Sequence, residues 1–199
     1  MAFYDKLKWV LGILMIFVLI ISTNLIDKNN FIRVRDSVVT IYEDRLIAND
    51  LIFDMLKSLQ KKELAVKLED STFFKSQNSK INTNLQSLVS GYEETKLTSE
   101  EARVFNDLKN NIQSLLDSEN QFVNSDYIDN SKVASTIESL KTNLSDLSKI
   151  QLNEGRRQMS ISKRALESVE LFTQIEIYIL VLLAIVIQII VMYKPKESS

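Results

Sequence analysis

Apolar residues follow two patterns along this chain. In two stretches they are continuous. Trp9 to Ile26 carries no charge and includes WVLGILMIFVLII, and Ile177 to Tyr193, IYILVLLAIVIQIIVMY, is uncharged with Gln188 as its one amide. At a rise of about 1.5 Å per residue each covers roughly 26 Å as a helix, close to the thickness of a bilayer core. Trp9 and Tyr193 stand where interfacial aromatics belong. Between the two runs, apolar residues recur at spacings of three and four, the period of a helix with one buried face.

Four helical stretches follow from that period. The first covers about Asp27 to Asp70 and continues the first apolar run. Ile32, Val39, Tyr42, Leu46, Phe53 and Leu56 form one stripe, and Val38, Ile41, Ala48, Ile52, Met55 and Leu59 a second beside it. Together they predict a wide core-facing side. The second covers about Ser71 to Glu94, with Phe74, Ile81, Leu85, Leu88 and Tyr92 on one face. After the break at GYEETKLTSEE, Thr98 and Glu101 have capping-box spacing, so a third helix starts near Ser99. Its stripe is Phe105, Leu108, Ile112, Leu115 and Phe122, with Glu119 in a slot where an apolar residue is expected and no explanation at this level. The fourth begins after NSDYIDNS, where Asp129 or Asn130 can cap it. Its stripe is Val133, Ile137, Leu140, Leu144 and Leu147, and the pattern runs on into the second apolar run.

Short breaks favour antiparallel neighbours. The predicted fold is all-α: an up-down-up-down four-helix bundle flanked by two transmembrane helices continuous with its first and fourth helices. Three glycines and one proline in 199 residues agree with a nearly all-helical chain. Gly155, inside the fourth helix, reads as a tolerated surface glycine, with a soft point or a close helix approach as the alternative.

The flanks set orientation. Lys6 and Lys8 precede the first span, and Lys194 and Lys196 follow the second, which keeps both ends in the cytoplasm. The domains are then a cytoplasmic N-terminus (1–8), a first span (9–26), an extracytoplasmic bundle (27–176), a second span (177–193) and a cytoplasmic tail (194–199). The first run has a basic start like a signal peptide. Its polar end, ISTNLID, lacks a small-x-small cleavage site, which favours a retained anchor.

The first and fourth helices are about twice as long as the others. Near the membrane, Ile32, Val38, Val39, Ile161, Ala165, Leu166 and Val169 therefore have one partner helix to cover them. A lone helix pair hides too little surface to be stable, and a parallel homodimer would supply the missing two helices.

This layout resembles the four-helix-bundle sensor module of methyl-accepting chemotaxis receptors and related bacterial histidine kinases. The stretch most like that family is SVVTIYEDRLIANDLIFDMLKSL, Ser37 to Leu59, with Tyr42, Arg45 and Leu46 in its Tyr-x-x-Arg-Leu pattern. The resemblance implies a periplasmic bundle on the bacterial inner membrane, a homodimer, sensing of small molecules or a binding protein, and a signal carried by a small shift of the fourth helix. Receptors of that kind continue into a HAMP linker and a transmitter or kinase. The six residues after Tyr193, KPKESS, hold neither, and the expectation is a module without its own output domain, or a piece of a longer chain.

The net charge of −2 and the short basic pairs give no pull on nucleic acid. With no cysteine and no histidine, thiol and imidazole chemistry are excluded. Neighbouring carboxylates, such as Glu43 with Asp44, Glu93 with Glu94 and Glu100 with Glu101, do not face each other on a helix and read as solvated faces. No phosphate loop or nucleophile elbow is present, so neither an enzyme nor a cofactor is expected. The candidate ligand-binding residues are Tyr42, Arg45 and Asn49, on the inner faces of the first helix. A buried arginine needs an anion, which is either a carboxylate or phosphate ligand at a dimer seam, or an Asp or Glu of a neighbouring helix. The expected function is an accessory sensory or interaction subunit acting on a membrane receptor, kinase or envelope complex. The alternative is a structural subunit of a cell-envelope complex that binds no small ligand.

Overall fold

A computed structural model describes the backbone of residues 2–192 and the side chains of 10–186, 188 and 189. Tyr193 and the KPKESS tail lie outside the described residues, as does the Trp9 side chain. Every regular element among them is helical: α1 (Ala2–Thr40), a π-helical turn (Ile41–Leu46), α2 (Ile47–Lys67), α3 (Ser71–Ser76), α4 (Asn78–Glu93), α5 (Ser99–Asn124) and α6 (Ser131–Met192). Two helical stretches are long and apolar enough to cross a membrane, with 18-residue windows of mean hydropathy 2.3 and 2.1 that are not buried inside the chain.

The chain divides into two compact units. One, Val39–Gln158, holds the core. Ala48, Ile52, Met55, Leu59 and Val66 of α2 share one apolar cluster with Leu85 and Tyr92 of α4, with Val104 to Phe122 of α5, and with Val133 to Ile150 of α6. The α5 and α6 stripes read from the sequence are buried residue for residue. The first stretch differs. Its Ala48-to-Leu59 stripe is in the core, but Tyr42 is 63%, Leu46 57% and Phe53 57% exposed. The core of this unit takes up the Ala48-to-Leu59 stripe and leaves the other uncovered.

The second stretch is also broken. Gln77, at φ −116° and ψ −29°, separates α3 from α4. Asp70 caps α3 by accepting from the amides of Thr72 and Phe73. The short helix seats two consecutive aromatics: Phe73 is buried, and Phe74 packs edge-on to Phe122 at 5.3 Å and lies 5.9 Å from Tyr127. The capping box of α5 is present, with Thr98 Oγ1 accepting from the Glu101 amide and Glu101 accepting from the Thr98 amide. At α6, Asp129 Oδ1 accepts from the Ser131 amide at 3.1 Å and its hydroxyl at 2.6 Å. These bonds hold the Asp129 carboxyl below the usual carboxylate range. A Cβ on Gly155 would meet nothing within 4 Å, and the helix runs through it unbroken.

The other unit is drawn from both ends of the chain, up to Val38 and from Met159. Its buried residues outside the apolar runs are Asn30, Ser37, Ser162 and Ala165. Phe31, Val38 and Leu166, at 69%, 56% and 57%, are exposed instead. The fully buried positions of this unit outside the apolar runs are thus small or polar, while Ile32, Val34, Ile161 and Val169 are half-buried.

Candidate functional site

Two polar clusters interrupt the apolar core. The first is built on Arg45, the only buried residue of the π turn. Its Nη1 donates to Glu101 Oε1 at 2.7 Å and to Gln151 Oε1 at 2.9 Å, and its Nη2 donates to the Lys96 carbonyl at 3.2 Å. Glu101 is fully buried and uses its other oxygen to accept from the Thr98 amide at 2.6 Å. Gln151 Nε2 donates to the Tyr92 hydroxyl at 2.9 Å. The Lys96 amide donates to Asp44 Oδ1, also on the π turn, at 3.2 Å. One arginine therefore ties the turn to the loop before α5, to the first turn of α5 and to α6. Burial pushes the Tyr92 hydroxyl up to about 12, with the Gln151 hydrogen bond acting against it. Arg45 Nε is buried without a partner.

The second cluster explains Glu119. Lys62 of α2 is fully buried and its Nζ donates to Glu119 Oε1 at 2.6 Å and to Asn78 Oδ1. Glu119 Oε2 accepts from Asn78 Nδ2 at 2.9 Å and Asn82 Nδ2 at 3.2 Å. A carboxylate in an apolar slot is tolerable when it is paired and hydrogen-bonded on both oxygens. Burial lowers the Lys62 pKa, opposed by the charge and hydrogen bond of Glu119.

Of the three candidate ligand residues, only Arg45 faces inward, and its anion is Glu101 of a neighbouring helix. Tyr42 is exposed. Asn49 is exposed as well and accepts from Ser148 Oγ at 3.1 Å. The three do not converge on one site. Glu101, read from the sequence as half of a solvated carboxylate pair, is buried, because its capping position turns it toward Arg45. Gln151, Tyr92, Lys62, Asn78 and Asn82 carried no separate signal; Glu119, a charge on an apolar stripe, was the one visible sign of the second cluster.

An all-helical core together with two helical runs long and apolar enough to cross a membrane defines the class of helical protein to which the chain belongs. Over residues 4–165 the chain matches the model of the four helix bundle sensory module for signal transduction, and it belongs to that family. No curated protein and no solved structure matches it significantly.

Proposed function

We propose that this protein is a two-pass sensory subunit of the bacterial inner membrane, with an up-down-up-down bundle in the periplasm and both termini in the cytoplasm. It works as a parallel homodimer that acts on a partner receptor, kinase or envelope complex through its membrane helices, and it is not an enzyme. The carrying observation, in a member of a sensory-module family, is the uncovered apolar face of the bundle unit: Tyr42, Leu46 and Phe53. A second copy would cover it. Pairings between helices support the bundle order. Lys62 with Asn78 joins α2 to α4, Lys109 with Glu93 joins α5 to α4, and Asn111 with Asn143 joins α5 to α6. Arg45 with Glu101 and Lys62 with Glu119 advance together along the π turn with α2 and along α5, as parallel helices require.

The mass of the detergent-solubilised chain, corrected for bound detergent, should be that of two copies, and Phe53→Cys should give a disulfide-linked dimer on oxidation. A monomeric mass with no such dimer refutes the homodimer. For the output, crosslinked partners recovered from native membranes should be lost when the second span is replaced by poly-leucine.

Arg45 favours a second reading, in which the bundle responds to protein partners or serves assembly and takes no small anion. Both of its terminal nitrogens are already engaged by Glu101, Gln151 and the Lys96 carbonyl. A ligand bound only by the folded form at a hundredfold excess over its Kd adds about 2.7 kcal/mol of stability. A panel of small carboxylates and phosphates that leaves the melting temperature unchanged supports this reading, and a clear rise supports the sensor of small molecules.

A further inference from the structure

The uncovered stripe of the bundle unit runs between two charged edges. Ser148 donates to Asn49 at 3.1 Å and Lys141 to Glu63 at 3.3 Å, so α6 lies antiparallel beside α2 on one side of the stripe. On the other side is α4, whose Asn84 lines an open cleft with Lys57, Ser58 and Lys61 of α2. Around the surface, the order is the outer edge of α6, then Leu46 and Phe53, then the α4-facing edge of α2.

Asp50 and Lys61 stand on that α4-facing edge. They are eleven residues apart, about three turns, and so point the same way. Both are exposed, and neither joins an ion pair among the described residues. Lys57, between them, is neutralised by Asp54 at 2.9 Å. Lys149 and Glu138 stand on the outer edge of α6, also eleven apart, with side chains 69% and 71% exposed. Each has a local partner three residues away, Asp146 and Lys141, in surface pairs that contribute little. The two edges match in level. Asn49 touches Ser148, so Asp50 and Lys149 are level within a turn. Eleven residues on, about 16 Å along both helices, Lys61 is level with Glu138. At the first level the α2 edge is acidic and the α6 edge basic; at the second both signs are reversed. Within one chain the stripe separates them.

A second copy, turned about a two-fold axis running along the stripe, brings each α6 edge against the α2 edge of the other copy. Asp50 then faces Lys149 of the second copy, and Lys61 faces its Glu138, on both sides of the seam. A slip of one heptad would keep an apolar seam but carry every pair about 10 Å out of reach. We propose that these two edges are the recognition element of the homodimer: their charges select a second copy of this chain, parallel and in register, over other apolar helical surfaces in the membrane. This rests on the homodimer reading above and adds what selects the second copy.

The chain has no cysteine, so Phe53→Cys reports the seam without background. The rate of disulfide-linked dimer formation by the full chain in membranes is read on non-reducing gels. Asp50→Lys with Lys61→Glu reverses the α2 edge, and Lys149→Glu with Glu138→Lys reverses the α6 edge. Either reversal alone should slow linking by about tenfold or more, because like charges then meet at every pairing. The chain carrying both reversals should link like the original. A second copy lying the other way up would set α2 edge against α2 edge, and the single reversals would leave its linking unchanged. Should an edge reversal cost the chain its helical signal, Asp50→Lys and Lys149→Glu take the place of the two reversals, with the same slowing and the same recovery when combined. The proposal is overturned if a folded reversal links as fast as the original, if the combined chain stays slow, or if Phe53→Cys fails to link in a chain of dimeric mass. A monomeric mass refutes the homodimer itself, and this pairing with it.

Discussion

Replacing Glu119 by leucine isolates the worth of a buried ion pair. In the variant Lys62 stays in the core with Asn78 Oδ1 as its remaining acceptor, and the Asn78 and Asn82 amides lose the oxygen they share. The lysine then has two options. It stays charged and unpaired, or it gives up its proton. The second sets a ceiling. Neutralising a lysine of ordinary pKa 10.5 at pH 7 costs about 5 kcal/mol, at 1.36 kcal/mol per pKa unit. The orphaned amides add about 1–3 kcal/mol each where they stay dry, and the added leucine area gives part of this back. A net loss of about 3–5 kcal/mol is expected, the usual range for breaking one side of a buried pair. In a chain of this size that is a fall in Tm of roughly 6–20 °C. Circular dichroism melts of the full chain in mild detergent at pH 7 would measure it. The companion variant, Lys62→Met with Glu119→Leu, removes both charges and should melt within about 4 °C of the original or above it. A Glu119→Leu melt within a degree of the original would refute the reasoning. So would a double variant as unstable as the single.

Other predictions follow from local features. Glu69 ends α2 at φ 50°, with the Asp70 amide reaching the Ala65 carbonyl at 2.9 Å. Glycine suits this conformation, so Glu69→Gly should stabilise by about 1 kcal/mol and raise Tm by a few degrees. A lower Tm would count against the assigned turn. Leu115 is fully buried in α5, and Leu115→Ala should cost about 2–5 kcal/mol, against a change within about 0.5 kcal/mol for the exposed Leu68→Ala; equal melts would contradict the core assignment. Tyr92 titrates at about 12 when folded, against 10.0 ordinarily. The folded chain then keeps a proton that the unfolded chain loses, so the contribution is complete below pH 10 and is lost as pH rises toward 12. The Tm difference between the original chain and Tyr92→Phe should be flat from pH 7 to 9.5 and shrink above pH 10. A constant difference would remove Tyr92 as its source.

What the sequence made legible is what helical period and capping chemistry encode. The α5 and α6 stripes and the Thr98–Glu101 box could be read because each depends on residues within a few turns of one another. The exposed stripe at Tyr42, Leu46 and Phe53 was read as core-facing, because periodicity marks a residue as apolar-faced and is silent on which chain covers it. The break at Gln77 was missed because no glycine or proline marks it; it comes from seating Phe73 and Phe74 against the end of the core. The polar clusters were the least legible. Glu119 stood out as a charge on an apolar stripe, but Lys62 lies 57 residues away, and no local pattern selects it from the other lysines. Arg45 was singled out with an anion in mind, and the open choice was which anion. A capping glutamate of another helix is a partner that only the packed fold identifies.

The placement of the two pairs suggests why a core would keep them. An apolar stripe repeating at sevens packs nearly as well after a slip of one heptad, so leucines alone define axial alignment poorly. Charges do not tolerate the slip. The partners Arg45 with Glu101 and Lys62 with Glu119 lie 56 and 57 residues apart in sequence, so one relative placement of α2 and α5 satisfies both pairs. Sliding the π turn and α2 together by seven residues would move Arg45 and Lys62 about 10 Å along the axis and leave buried charges facing apolar walls, at several kcal/mol each. The pairs add little to stability if the double variant melts where expected, and their contribution is then to alignment.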